Sequence, residues 1–255
     1  MSLLDVATAI LPPAQRLVWP RLDEVPHGFV LYGGTALALQ LGHRTSVDFD
    51  LFTSDPVDPD GLLDTLALLR GCEVIQREPG VLTVRVTPEG MEDGVRLSFF
   101  GGLDLKVVAN PLIAADNGMA IASILDVGGT KAKTIQQRIE VRDYIDLAAL
   151  IEGGMSVDDI IGACITIFGA HQISAVRTAQ TMAYFDSAEL ADLPGSARTA
   201  IADGVGWLGD THRVAIHRRR PERRPIAARA PARRGYRGFG AVGYHGPRAA
   251  DMAQR

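Results

Sequence analysis

Gly28-Phe29-Val30-Leu31-Tyr32-Gly33-Gly34-Thr35-Ala36-Leu37-Ala38-Leu39-Gln40-Leu41-Gly42, followed by His43-Arg44-Thr45-Ser46 and Val47-Asp48-Phe49-Asp50-Leu51-Phe52, is the stretch whose reading decides the fold. Residues 28–32 are apolar and β-prone. Gly33-Gly34 interrupts them, Ala36–Leu41 has good helix propensity, and Gly42 stands where such a helix ends. Residues 47–52 alternate apolar and acidic with period 2, the pattern of a half-buried strand. The order is strand, glycine turn, helix, strand.

Each part of this unit has a chemical reading. A Gly-Gly turn opening a helix presents backbone N–H groups where the helix dipole favours an anion such as phosphate. Residues i and i+2 of a strand share a face, so Asp48 and Asp50 project together with Phe49 packed behind them. Two adjacent carboxylates repel and raise one pKa unless a cation lies between them. Such a pair suits Mg²⁺, which takes one or two carboxylates and completes its shell with substrate phosphate and water. Asp48 and Asp50 are therefore candidate metal ligands, and Gly33, Gly34 and Thr35 a candidate phosphate cradle. Ser46, two residues before Asp48, is placed to touch the metal or a phosphate.

Downstream, Asp58-Pro59-Asp60 starts a helix over Leu62–Leu69, and strands are expected at Glu73–Glu78, Val81–Thr87, Val95–Phe100 and Leu103–Val108. Helices are then expected over Lys131–Glu140, Asp143–Ile151, from the Ser156 cap to Phe168, and over Ser174–Phe185. Strands followed by helices favour an α+β fold over a doubly wound sheet. The organisation read from this is an α/β core over residues 1–118, a helical part over 119–212 and a separate tail over 213–255. No apolar run approaches the ~20 residues that span a bilayer, and the apolar N-terminus lacks a basic n-region. Cys72 and Cys164 read as buried thiols in a reducing cytoplasm.

Two separated motifs carry a resemblance. Tyr32-Gly33-Gly34, thirteen residues, then Asp48-Phe49-Asp50-Leu51 resembles the motif of the polymerase-β-like nucleotidyltransferase superfamily. Together with Leu125-Asp126, Lys131, Arg138 and Arg142-Asp143-Tyr144-Ile145-Asp146-Leu147, the string from Gly33 to Phe52 closely resembles the AbiEii/AbiGii toxin family of nucleotidyltransferases over about residues 25–185. The resemblance implies a mixed sheet with flanking helices. It implies further that Gly33 and Gly34 hold a nucleoside triphosphate, that Asp48 and Asp50 hold the metal, and that Lys131 and Asp146 complete the catalytic set. The acceptor it implies is an RNA, such as the 3′ end of tRNA, or a protein hydroxyl, and the partner a cognate antitoxin.

Several features bear on that set. Lys131 is one of only three lysines against 23 arginines, and a compact point charge suits a phosphate. Arg138, seven positions on and near the same helical face, adds a second phosphate contact. An unbroken helix would separate Lys131 from Asp146 by about 22 Å, so the chain must bend, near Glu140–Val141. Asp143 shares a helical face with Asp146, and either can enter the site. Where many superfamily members carry a third carboxylate this chain has Ser98, with Asp104 as a nearby substitute. That departure supports a second expectation, a degenerate member that binds a nucleotide or a partner without transfer.

Charge divides the chain. Its formal net charge of −4 sums a body over residues 1–212 at −14 and an arginine-rich tail at +10. The tail has too few aliphatic residues to fold alone. An RNA-binding arm using Tyr236, Phe239 and Tyr244, an inert solvated tail, or a shifted reading frame each accounts for it.

Overall fold

The computed structural model of the chain describes residues 2–103 and 106–214, with side chains through residue 206. β1 (Leu3–Leu4) and α1 (Pro13–Val18) precede the central unit of β2 (Val30–Tyr32), α2 (Gly33–Leu41) and β3 (Asp48–Phe52). Next come α3 (Pro59–Thr65), β4 (Glu73–Glu78), β5 (Val81–Val86), β6 (Val95–Phe100), β7 (Leu112–Ala114) and β8 (Ala120–Ile121). The helices α4 (Ile124–Thr134), α5 (Val141–Glu152), α6 (Val157–Phe168), α7 (Ala175–Met182) and α8 (Gly195–Val214) follow. The strands make one eight-stranded mixed sheet in the order β1-β7-β8-β2-β3-β6-β5-β4. This is an α+β fold, as the order of elements in the sequence predicts.

The unit around β3 forms for the reasons its pattern gives. Phe49 and Leu51 are fully buried while Asp48 and Asp50 lie on the opposite, partly open face. Pairing then sets their neighbours: Tyr32 on antiparallel β2 lies opposite Asp50, and Arg96 and Ser98 on parallel β6 lie opposite Asp48 and Asp50. The helix begins at the glycine pair itself rather than after it, and the buried Thr35 hydroxyl donates to the Asp48 carbonyl, stitching α2 to β3. Gly42 closes α2 in the left-handed region at φ +61°, its N–H bonded to the Ala38 carbonyl at 2.8 Å.

Two sequence expectations are corrected. The described part of Leu103–Val108 carries no strand. The Val108 and Ala109 amides donate to the two carboxylate oxygens of Asp126 at 2.7 and 3.1 Å, so they are withdrawn from any ladder. The helix expected over Lys131–Glu140 lies earlier, because Ser123 caps it by accepting from the Asp126 N–H, and it ends at Thr134. Residues 135–140 are the bend, and Glu140, extended at φ −138°, starts α5.

The buried face of the sheet (Leu31, Phe49, Leu97, Phe99) and the helices (Tyr144, Leu147, Ile160, Cys164) belong to one hydrophobic cluster. Both cysteines are free. No described helix is long and apolar enough to cross a membrane.

Close packing of α4 on α6 fixes where Lys131 sits. A Cβ on Gly129 would stand 2.9 Å from the backbone of Ala163 and Cys164, whereas one on Gly128 would meet only side-chain ends at 3.2 Å or more. Gly129→Ala is expected to force the helices apart and to destabilise the fold by about 1–3 kcal/mol. Gly128→Ala is expected to be neutral or stabilising, since it gains up to about 1 kcal/mol of helix propensity. Paired urea denaturation curves check both, and equal losses at the two positions would contradict the packing account.

Candidate active site

Three segments converge at the open face of β3. At the start of α2, Gly33 has φ +73°, and a Cβ there would stand 2.6 Å from Asp50 Oδ2. Only glycine lets the turn lie against this carboxylate. Gly34 is just as confined, since a Cβ on it would stand 2.5 Å from Arg44 Nη2 and 3.0 Å from Ser46 Oγ. The glycine turn, Ser46 and the aspartate pair are thus one surface. Burial raises the Asp50 pKa and the charge of Asp48 raises it further, while Arg96, Lys131 and Arg138 pull it down. Asp48 pairs with Arg96, whose Nη2 lies 2.7 Å from Oδ2. The half-exposed guanidinium occupies the position of a counter-cation.

Behind this surface lies a buried ionic knot. Asp146, with a fully buried side chain, accepts from Arg44 Nε and Nη2 at 2.6 and 2.8 Å and from His43 Nε2 at 2.7 Å. Lys131 Nζ lies 2.7 Å from its Oδ2 and 2.6 Å from Asp143 Oδ1. The bend at 135–140 therefore brings Lys131 and Asp146 into contact although they stand fifteen positions apart in sequence. Burial alone would raise the Asp146 pKa. The hydrogen bonds from His43 and Arg44 and the charge of Lys131 outweigh it and hold this carboxyl well below the usual range. Every direction from which Asp146 can accept is filled by a cationic or N–H donor, so it positions Lys131 and Arg44 rather than offering itself to a metal. Asp143 shares Lys131, but its Oδ2 has no hydrogen bond and meets Arg138 Nε only at 3.4 Å.

A family model described as nucleotidyl transferase AbiEii toxin, type IV toxin–antitoxin system, matches residues 21–206. The chain belongs to the AbiEii family. A protein of Aquifex aeolicus (strain VF5), itself uncharacterized, is 34% identical over 119 residues, or 47% of this chain and 55% of that protein. The chain thus spans about half the length of this curated relative. A solved Helicobacter pylori structure described as a candidate nucleotidyltransferase superposes with a TM-score of 0.52 at 18% identity. It covers 80% of this chain and 97% of that one, a likeness of fold. The nucleotidyltransferase toxin MenT4 of Mycobacterium tuberculosis aligns with a TM-score of 0.40 at 13% identity, over 78% and 91% of the two chains.

In this AbiEii chain the remaining expected residues take definite places. Arg138 is half exposed at the rim, its Nη1 3.1 Å from Glu140 Oε1. Ser98 is buried beside Asp50 and takes a long 3.4 Å hydrogen bond from the Thr83 hydroxyl. It supplies no carboxylate. Asp104 lies outside the described residues, as does the tail from residue 215 onward. Among the described residues no cluster of three or more His, Cys, Asp or Glu side chains is arranged to hold a metal. The sequence reading missed Arg96, although its alternation with Leu97 and Ser98 places it on the face shared with Asp48. It also missed that His43 and Arg44 are the partners of Asp146, which a spacing of about a hundred residues conceals.

The ionic knot makes a prediction about acid stability. A carboxyl whose folded pKa is depressed stabilises the fold above its unfolded pKa, about 3.9, and that stability drains away as pH falls through the folded value. Asp146→Asn leaves Lys131 and Arg44 short of a counter-charge and is expected to cost about 3–5 kcal/mol at pH 7. The gap between wild type and variant should narrow steadily below pH 4. Chemical denaturation from pH 7 to pH 3 tests this, and a gap that is constant across that range would refute it.

Proposed function

We propose that this chain is a Mg²⁺-dependent nucleotidyltransferase that moves a nucleoside monophosphate from an NTP to an acceptor hydroxyl on RNA, with the 3′ end of tRNA the first candidate. In this reading it works in the cytoplasm as the toxin of a pair, restrained by a cognate antitoxin. The observation that carries the proposal is the contact of the Gly33-Gly34 turn with Asp50, which sets phosphate-binding amides against a paired carboxylate.

The donor set suits the metal. Asp48 and Asp50 offer two hard oxygen ligands on one face, the number Mg²⁺ commonly takes from protein. The raised Asp50 pKa and the guanidinium on Asp48 both express an unmet demand for positive charge. Asp48 and Asp50 would hold the ion, which when bound neutralises charge on the triphosphate and aligns the entering and leaving oxygens.

The chain's own groups do the rest by position and charge. The N–H groups opening α2 orient the triphosphate, with the helix dipole behind them. Two of the three Lys131 donors are taken by Asp143 and Asp146, leaving one for a phosphate oxygen. Arg138 adds positive charge at the rim. The acceptor hydroxyl attacks the α-phosphorus in line and gives up its proton to solvent, the new O–P bond forms as the bond from the α-phosphorus to the bridging oxygen breaks, and pyrophosphate leaves. Catalysis of this type rests on positioning and electrostatics rather than on a covalent intermediate.

Ser98, standing where a third carboxylate is expected, favours a second reading in which the chain binds nucleotide or partner without transfer. Incubation of the protein with each α-labelled NTP, Mg²⁺ and total tRNA separates the two. Incorporation is expected with wild type, abolished by EDTA and restored by Mg²⁺. Asp50→Asn should lower it by about two orders of magnitude or more, with the melting temperature little changed. Nucleotide binding without incorporation would establish the second reading, and incorporation indifferent to Asp50→Asn would sink the assignment of the site.

A further inference from the structure

Beside the active site, between α5 and α7, lies a cleft of about 260 Å³ lined by Ile139, Tyr144, Arg177, Gln180, Thr181 and Tyr184. Residues 177, 180, 181 and 184 follow the i, i+3, i+4, i+7 spacing of one helical face, and the Tyr184 N–H extends that face by bonding to the Thr181 carbonyl at 3.2 Å. The floor is closed by the fully buried Tyr144, whose hydroxyl donates to the Thr181 carbonyl at 3.1 Å. Tyr184 is 52% exposed, yet its hydroxyl is tied to the Asp186 carbonyl at 3.1 Å. An open aromatic ring anchored at its tip is a stacking platform that costs little entropy to use. Arg177 and Gln180 are exposed, and among the described residues their side chains make no hydrogen bond or ion pair.

The cleft adjoins a cationic fork. Ile139, in its lining, separates Arg138 from Glu140, and Glu140 accepts from Arg138 Nη1 at 3.1 Å and Arg142 Nε at 2.7 Å. Glu140 thus holds two half-exposed guanidiniums side by side. Arg138 Nε also lies 3.4 Å from Asp143 Oδ2, whose other oxygen holds Lys131, so the fork abuts the ionic knot behind the aspartate pair. Cleft, fork and carboxylates form a continuous series.

We propose that this series is the acceptor subsite: a single-stranded RNA end lies with a base stacked on Tyr184, its backbone phosphate on the Arg138–Glu140–Arg142 fork, and its hydroxyl at Asp48 and Asp50. Phosphate, sugar hydroxyl and unpaired base of a single strand are chemically complementary to the cationic fork, the carboxylate pair and the aromatic platform. Gln180 supplies an amide donor and acceptor to a base edge, and Arg177 a planar guanidinium. A body with a net charge of −14 repels a polyanion, so a local cationic track is what an RNA acceptor requires. The inference rests on the transferase reading only for the identity of the acceptor.

The test is anisotropy of a labelled single-stranded oligoribonucleotide titrated with the full chain in Mg²⁺, alongside acceptor kinetics. Tyr184→Ala should weaken binding at least about fivefold, the low end for losing one stacked base, and Tyr184→Phe should stay within about twofold of wild type. Arg142→Ala should reduce the salt dependence of binding, whereas Arg70→Ala, an equal loss of charge elsewhere on the surface, should not. In turnover, Tyr184→Ala should raise KM for RNA and leave KM for NTP unchanged. Equal RNA binding by wild type and Tyr184→Ala overturns the proposal, as does label transferred to a protein acceptor without RNA binding. RNA binding lost with Tyr184→Ala in a wild type that shows no transfer sinks the transferase reading and keeps the subsite. Transfer with an unchanged acceptor KM does the reverse.

Discussion

Asp146 receives four donor atoms from His43, Arg44 and Lys131, and this one buried carboxylate joins the α2–β3 loop to α4 and α5. A carboxylate with no exposed surface is tolerable only when its charge is matched and its lone pairs are filled. The knot therefore holds Lys131 between Asp143 and Asp146 and fixes Arg44 against the Asp146 carboxylate. Asp143 reinforces it from the same helix. The sheet contributes the paired carboxylates and the helices contribute Lys131, and Asp146 ties the helices to the loop that leads into β3.

The same residue type plays opposite parts on β3 and α5. Asp50 is partly buried next to a like charge and has no saturating set of donors, so its pKa is raised. Asp146 is buried more completely, yet its donors hold its pKa down. Divergent environments of this kind divide carboxylates into those available for chemistry and those committed to architecture. The aspartates on β3 belong to the first group and those on α5 to the second. Positive charge is likewise local: a strongly acidic body gathers Arg96, Lys131, Arg138 and Arg142 around one face, where their field adds.

Local physics made the central unit legible. The period-2 alternation of residues 47–52 and the glycine interruption before a helix are short-range patterns, and the structure reproduces them at nearly the same boundaries. The need for a bend between Lys131 and Asp146 was also legible, because helix rise sets a distance. Its place was less so. The Ser123…Asp126 cap that starts α4 early is present in the sequence, but Asp126 also serves Val108 and Ala109, a long-range use that no local pattern reveals. β7 and β8, three and two residues long, are defined by their neighbours in the sheet rather than by any periodicity of their own. The pairing of Arg44 with Asp146 is invisible for the same reason: contacts across a hundred residues are products of the fold.

The dependence of Lys131 on α5 has a consequence for the order of synthesis. The glycine turn and both β3 aspartates emerge from the ribosome about a hundred residues before the helix that carries Asp143 and Asp146. A nascent chain that has finished the sheet has nothing to neutralise Arg44 and has not yet placed its lysine. The arrangement around Asp146 therefore cannot form until α5 has been made.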